Sequence, residues 1–314
     1  MDRVRTREAL LTERDPDAAP FRFRFSAMAS VHEIHLWGTD RAHAERAARA
    51  AIADVKRIET KYSRYRDDSV TSAINRAAGR EAVAIDAETA SLLRYADRCH
   101  ALSNGRFDIT SGVLRRIWDF RRRPPRIPTQ DEIDALRPLV DWARVEWSAV
   151  GVRLPDAGME LDFGGLGKEY AADRAATICR EHGIAHALVN LGGDVRAIGS
   201  RADGSPWRIG IRHPRNADAT IATMTLDDEA VATSGDYERY FELHGKRYCH
   251  LLDPGTGMPV DRWQSASVVA PLAILAGSYA TIAMLERERA PAFLRAQNVR
   301  FLLVDKGGAL VASH

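Results

Sequence analysis

Cysteine is scarce in this sequence, and its few copies are not paired. Three cysteines occur among 314 residues, at Cys99, Cys179 and Cys249, and no two of them form a Cys-x-x-Cys motif. An odd number of widely spaced cysteines argues against a disulfide framework and against a structural zinc site. We therefore expect an apolar core to hold the fold, since 45% of the residues are hydrophobic.

An excess of charge of one sign is also missing. The chain has 45 Lys and Arg residues against 43 Asp and Glu residues, a formal net charge of +2. Domains that bind nucleic acid usually carry a strong basic surplus. The charge balance therefore predicts no nucleic-acid partner.

Long apolar runs are absent as well. The longest apolar stretches, such as residues 265–276, are well short of the roughly 20 residues that a membrane-spanning helix needs. Charges are scattered through the N-terminal region where a secretory signal would need an apolar core. We expect a cytoplasmic protein without a membrane span, in which a loosely ordered segment, 1–20, precedes a folded region at 21–314.

Helical and extended patterns alternate along the chain. Helical spacing of apolar residues predicts helices at 41–60, 87–103, 168–182 and 273–288. Thr129 and Glu132 have the spacing of a capping box at the start of another helix. Strands are expected at 21–37, 187–190, 207–212, 220–226, 230–233, 247–252 and 266–270, with a closing hairpin at 301–304 and 309–311. This mixture predicts an α+β fold with mixed, largely antiparallel sheets flanked by helices, as one domain or two intertwined subdomains.

Four polar, glycine-rich turns are the most informative feature of the chain, at residues 161–173, 190–194, 234–236 and 250–257. Glycine lets backbone N–H groups approach an anion closely. Lys168, Asp173, Asp194 and His250 add charge and proton-transfer capacity beside these turns. The combination predicts a site for a phosphate ester. Taken singly, the glycines are also typical of tight turns, and Asp173 is equally typical of a salt bridge within a helix.

These turns, with other segments in a fixed order, resemble one known family. The order runs from Tyr62-Ser-Arg-Tyr65, with Ser69 and Asn75, through Gly105-Arg-Phe-Asp-Ile-Thr110 and Trp118-Asp-Phe120 to the four turns and finally Ala280-Thr281. From about residue 25 to residue 304 the chain is similar to the ApbE family, the FAD:protein FMN transferases. The resemblance implies an ApbE-like fold that binds a flavin nucleotide.

The resemblance also implies a reaction. In the family, a threonine hydroxyl of an acceptor flavoprotein attacks the pyrophosphate of FAD in the presence of Mg²⁺, which leaves FMN in a phosphoester and releases AMP. Such a site needs a phosphate cradle, a cation and a base for the hydroxyl. FAD, Mg²⁺ and an acceptor protein with a target threonine are therefore the expected ligands and partners.

Residues can be assigned to these roles from the matching motifs. We expect His250, held near Asp253, to act as base or leaving-group acid, and Lys168 to face a phosphate. The remaining positions of the expected nucleotide site are Gly164, Gly165, Asp173, Gly192, Gly193, Asp194, Ser234, Gly235 and Asp236.

Two positions depart from the metal site that the resemblance implies. The family binds the metal with a backbone carbonyl of the lysine turn, here that of Gly167, and with an aspartate and a threonine of the last long helix. Thr281 supplies the threonine, but the aspartate position holds Gly277. Glu169 stands where the family usually has glycine. Because Mg²⁺ prefers hard anionic oxygens, we hypothesise that Glu169 replaces the missing ligand.

Other interpretations stay open from the sequence. A chain without the metal carboxylate could bind FAD without catalysis, and a chain in which water replaces the acceptor would be an FAD pyrophosphatase. A run of arginines interleaved with Trp118 and Phe120 could stack on adenine or form a solvated face. His32 and His35 are expected on the surface.

Overall fold

The structure is a computed structural model that describes residues 20–313. The segment expected to be loosely ordered, 1–20, lies outside the described residues except for Pro20. The α-helices are α1 (Arg41–Tyr62), α2 (Val70–Arg76), α3 (Ala87–Leu102), α4 (Gln130–Leu136), α5 (Gly167–Glu181), α6 (Ala273–Glu286) and α7 (Ala290–Ala296).

The strands occur mostly in the first 40 residues described and in the second half of the chain. They are β1 (Phe21–Ala27), β2 (Ser30–Trp37), β3 (Val83–Ala84), β4 (Glu146–Trp147), β5 (Gly151–Arg153), β6 (His186–Leu191), β7 (Asp194–Ile198), β8 (Trp207–His213), β9 (Asn216–Leu226), β10 (Ala230–Gly235), β11 (Tyr240–Leu243), β12 (Lys246–Cys249), β13 (Trp263–Ala270), β14 (Arg300–Asp305) and β15 (Leu310–Ala312).

Eight strands form the main sheet, in the order β1-β2-β6-β7-β10-β13-β14-β15. Every neighbouring pair in this sheet is antiparallel. Three smaller antiparallel sheets complete the β-structure, with the orders β3-β5-β4, β8-β9 and β11-β12. The predicted α+β class with largely antiparallel sheets is confirmed.

The main sheet lies between a layer of helices and the β8-β9 ribbon. α1 and α5 pack against each other through buried alanine-rich faces, since small side chains let two helices approach closely. Trp207 and Ile211 of the ribbon pack on Val231 and Val269 of the opposite sheet face. All eight residues of β13 are buried, because α6 covers one face of the sheet at this strand while the ribbon packs on the other.

Elements with a clear periodic pattern of apolar residues agree well with the prediction. The predicted helix 41–60 is α1, and the capping box of Thr129 and Glu132 begins α4. The single strand predicted at 21–37 is wrong in one respect, since it is a hairpin of β1 and β2. Its turn residues, Met28 and Ala29, both have positive φ, a conformation that sequence patterns associate with Asn and Gly rather than with Met and Ala.

The described helices carry no membrane span. Within residues 20–313, every helix is too short or too polar to cross a bilayer.

Candidate active site

The glycine turn before α5 is fixed by two polar side chains. Asn75 receives the N–H of Leu161 at 2.7 Å and donates to its carbonyl at 3.0 Å. Oδ1 of Asp162 accepts the N–H of Gly164 at 2.8 Å. A Cβ atom on Gly164 would lie 2.9 Å from that same oxygen, so glycine is required for the tight turn. These contacts hold the loop that leads into Gly167, the first residue of α5.

Lys168 connects this helix to the turn between β6 and β7. Gly192 and Gly193 form the turn with φ values of +62° and +101°, which favour glycine. A Cβ atom on Gly192 would lie 3.6 Å from Cδ of Lys168. Nζ of Lys168 lies 2.5 Å from Oδ2 of Asp194, just after the turn. Two of the predicted turns and their charged residues therefore meet in space.

Glu169 is buried between α5 and α6. Its side chain is packed against Gly277, and its Oε2 has no hydrogen-bond partner among the described residues. Burial raises the pKa of Glu169, and the nearby carboxylate of Asp194 adds to this effect more than Lys168 offsets it. An unpartnered buried carboxylate oxygen is costly unless a cation or a proton satisfies it.

Thr281 lies one helical turn after Gly277, on the same face of α6. Its Oγ1 is 2.8 Å from Oγ of Ser234 in β10. The next residue, Gly235, is needed because a Cβ atom there would lie 2.4 Å from the ring of Tyr237. The segment 234–236 was predicted as a turn, but Ser234 and Gly235 belong to β10 and pair with β13. This segment is brought to the helix that carries Thr281.

His250 lies close enough to Lys168 for the charge of the lysine to affect its pKa. Its backbone N–H donates to the carbonyl of Arg239 at 3.0 Å, and its Nδ1 is buried without a hydrogen-bond partner among residues 20–313. Burial lowers the pKa of His250 to about 3, and the positive charges of Arg239, Arg115 and Lys168 act in the same direction. The imidazole is therefore neutral at physiological pH.

Asp253, expected to lie near His250, makes its hydrogen bonds with other residues. Oδ1 of Asp253 accepts the N–H of Gly255 at 2.9 Å, and its Oδ2 accepts a hydrogen bond from Arg287 at 3.1 Å. Asp253 therefore stabilises its own turn and pairs with an arginine. The Asp-Pro-Gly sequence favours this turn, as its composition alone indicates.

Two carboxylates predicted in the nucleotide site have hydrogen-bond or ion-pair partners within the protein. Asp173 accepts the N–H groups of Ala273 and Ile274 at 2.8 and 2.9 Å and so caps α6. Asp236 makes a bidentate ion pair with Arg215, at 2.6 and 2.7 Å. These contacts make both residues part of the framework around the site.

The sequence interpretation missed an ion-pair cluster beside the first glycine turn. Oδ2 of Asp162 lies 3.1 Å from Arg64 and 2.6 Å from Arg115. Gly112 permits this approach, because a Cβ atom there would be 2.9 Å from Cβ of Asp162. In the sequence, Arg64 belongs to the motif at Tyr62–Tyr65 and Arg115 to the arginine run around Trp118, and neither pattern indicates Asp162 as a partner. An aspartate two residues before a Gly-Gly pair is the signal that could have indicated this cluster.

Two further expectations are revised. Trp118 is buried and donates to the carbonyl of Gly257 at 2.8 Å, so it belongs to the core and not to an adenine platform. His32, expected on the surface, is only 1% exposed. Its ring nitrogen Nε2 is bonded to the carbonyl of Ala27 at 2.9 Å. Alternation along the strand could not show which face of β2 the helices cover.

Comparisons with known proteins agree on one group. Residues 28–303 match the sequence pattern of the ApbE family. Over 273 residues the chain is 31% identical to an FAD:protein FMN transferase of Vibrio cholerae, with 81% of each chain covered. It is 30% identical to one from Salmonella typhimurium over 292 residues, which is 90% of this chain and 83% of that one.

Solved structures give the same result at the level of the fold. An ApbE protein from Thermotoga maritima superimposes with a TM-score of 0.84 at 32% identity, covering 94% of this chain and 97% of the other. The flavinyl transferase ApbE of Pseudomonas stutzeri, in its apo form, gives a TM-score of 0.83 at 26% identity and 96% coverage of both chains.

Proposed function

This chain belongs to the ApbE family, and we propose that it transfers FMN from FAD to a threonine hydroxyl of an acceptor flavoprotein. In this reaction the threonine oxygen bonds to the phosphorus of the FMN half of FAD. The bond from that phosphorus to the bridging oxygen breaks, and AMP leaves with that oxygen. The proton of the hydroxyl passes to a base of the protein. Relatives named FAD:protein FMN transferase support the proposal.

The observation that carries the proposal is the convergence of charged groups on the glycine turns. Lys168 is paired with Asp194 directly after Gly192 and Gly193, and its charge acts on His250. A cation and glycine turns beside a neutral imidazole suit a phosphoester substrate. We assign the turns at Gly164-Gly165 and Gly192-Gly193 to binding the pyrophosphate.

His250 is our proposed base for the threonine hydroxyl. Its lowered pKa keeps the ring unprotonated at neutral pH, which a base requires. Arg115 and Arg239 surround it with positive charge. We assign these arginines to stabilising the negative charge of the substrate near the reacting phosphorus, where fixed positive groups lower the barrier.

Magnesium fits the groups between α5 and α6. We infer that the carbonyl oxygen of Gly167, the hydroxyl of Thr281 and the carboxylate of Glu169 would hold it, since Oε2 of Glu169 is buried and unpartnered within residues 20–313. Three such oxygen ligands suit Mg²⁺, which keeps waters and binds substrate phosphates. When bound, the ion would neutralise charge on the pyrophosphate.

The test is a direct transfer assay. The full chain is incubated with FAD, Mg²⁺ and a flavin-acceptor domain, and intact-mass spectrometry records the acceptor. We expect a mass increase of one FMN, with AMP released in equal amount. An acceptor whose target threonine is changed to valine is the control and should remain unmodified.

Other products would overturn the proposal. Equal amounts of FMN and AMP in solution, with the acceptor unmodified, would indicate an FAD pyrophosphatase. FAD that stays bound and intact with every divalent cation tried would indicate a binding protein without catalysis.

A further inference from the structure

The space beside Gly277 is already filled by another side chain. A Cβ atom built on Gly277 would lie 2.5 Å from Cγ, 2.9 Å from Oε1 and 3.0 Å from Cδ of Glu169. Carbon atoms in van der Waals contact are usually about 3.5–4.0 Å apart. Glu169 therefore uses the volume that any side chain at position 277 would need.

The backbone does not explain a glycine at this position. Gly277 lies inside α6, with its φ outside the positive range, and glycine inside a helix costs about 0.5–1 kcal/mol relative to alanine. Most of the other residues of α6 are good helix formers or apolar. Clearance for Glu169 is the feature of the structure that accounts for this cost.

The carboxylate that occupies this clearance is only 8% exposed. One of its oxygens has no partner among the described residues, although Lys168 and Asp194 are close enough to act on its charge. Lys168 already pairs with Asp194 at 2.5 Å. The carboxylate of Glu169 thus lies beside Gly277, which is one helical turn before Thr281 on α6.

We propose that positions 169 and 277 form an exclusive pair, in which a single cation-binding carboxylate enters the space between α5 and α6 from one helix or from the other. In this chain the carboxylate is that of Glu169 on α5, and Gly277 leaves the space that this side chain needs. The inference rests on the proposed function for the role of the cation. It goes further than that function by naming Gly277 as the residue that determines which helix supplies the cation-binding carboxylate.

The exclusive pair makes a reciprocal prediction that a simple ligand would not. Gly277→Asp alone should fail to bind the cation as the unaltered protein does, because the new side chain collides with that of Glu169. Glu169→Gln with Gly277→Asp should also fail to bind it, because glutamine keeps the same Cγ and Cδ atoms. Only Glu169→Gly with Gly277→Asp removes the collision and returns one carboxylate to the space.

Mn²⁺ binding, followed by electron paramagnetic resonance with FAD present and no acceptor, is the main readout. We expect Glu169→Gln to weaken Mn²⁺ binding on the order of tenfold or more. Glu169→Gly with Gly277→Asp should regain most of the loss. Gly277→Ala tests the steric effect without adding a charge. It should lower the melting temperature when Glu169 is present and raise it in the Glu169→Gly background.

The outcomes distinguish this inference from the proposed function. Wild-type Mn²⁺ affinity in a folded Glu169→Gln variant would overturn the inference, as would equal effects of Gly277→Ala in the two backgrounds. Transfer of FMN by the unaltered protein is measured separately. If the reciprocal pattern of Mn²⁺ affinities is found but no FMN reaches any acceptor, the exclusive pair stands and the transferase does not.

Discussion

Nζ of Lys168 lies 2.5 Å from Oδ2 of Asp194, and this ion pair joins the first turn of α5 to the start of β7. Burial alone would lower the pKa of Lys168, but the carboxylates of Asp194 and Glu169 outweigh it and raise this pKa above its ordinary value. The lysine is therefore held charged beside the glycine turn. Asp194 fixes the position of this charge.

Asp194→Asn should destabilise the protein, because it leaves the ammonium group of Lys168 without its closest counter-charge. We expect a loss of about 2–4 kcal/mol in the free energy of unfolding, measured by urea denaturation. Lys168→Met combined with Asp194→Asn should cost less than the sum of the single changes. As a control, Glu146→Gln, which breaks the exposed pair with Arg153, should have a much smaller effect. Strict additivity at 168 and 194 would contradict the pairing.

The sequence indicated the candidate residues of this part of the site, but not the contacts between them. The ordered motifs indicated Lys168, Asp194, Ser234 and His250 as candidates, because glycine-rich turns can be recognised in the sequence without their contacts in space. Strand β7 was missed, since all five of its residues are buried and show no alternation. The hairpin turn at Met28 was missed because its residues are not those that such a turn favours.

Contacts between elements far apart in the sequence could not be predicted. The capping of α6 by Asp173 depends on how α5 is placed against that helix. The clearance at Gly277 likewise depends on a distance between two helices. The sequence shows only that Glu169 and Gly277 are unusual residues. The structure shows that the side chain of Glu169 fills the space beside Gly277.

His250→Gln should lower turnover far more than the affinity for FAD. The imidazole is proposed to act on the proton of the attacking hydroxyl, so its loss affects the transition state more than the bound ground state. We expect turnover to fall by about 10²–10⁴-fold, with a change of only a few fold in the FAD dissociation constant by calorimetry. His35→Gln, on β2 with its ring bonded to Glu33, is the matched control and should retain activity. A parallel loss of turnover and affinity would make His250 a binding residue only.

His250 should also make stability depend on pH. Burial, aided by Arg239 and Arg115, lowers its pKa in the folded protein to about 3, whereas an unfolded chain has an ordinary histidine pKa of about 6.5. Between these values the unfolded state binds the extra proton, so this residue destabilises the fold increasingly as the pH falls below about 6.5. The slope is at most about 1.4 kcal/mol per pH unit.

The measurement compares the unaltered protein with His250→Gln from pH 7 to pH 4. The free energies of unfolding should shift in favour of the variant as the pH is lowered, because glutamine does not titrate. Parallel pH profiles for the two proteins would show that His250 is not held neutral in the folded state.

Asp173 should control the metal requirement from a distance. Both of its carboxylate oxygens bind the first N–H groups of α6, and α6 has no capping side chain of its own at Leu272. Asp173→Ala should therefore cost about 1–2 kcal/mol of stability and loosen the helix that carries Thr281. We expect a higher Mg²⁺ concentration for half-maximal activity, with little change in FAD affinity.

Asp40 provides the matched control, since it caps α1 through a 2.8 Å bond from the N–H of His43. Asp40→Ala should reduce stability by a similar amount, yet leave the Mg²⁺ requirement unchanged because α1 carries no proposed metal ligand. Asp173→Asn should recover part of the metal response, as one acceptor oxygen remains while the charge that favours a helix N-terminus is lost. If Asp40→Ala and Asp173→Ala raise the Mg²⁺ requirement equally, the effect reflects general loss of stability, and the role of Asp173 in positioning Thr281 is wrong.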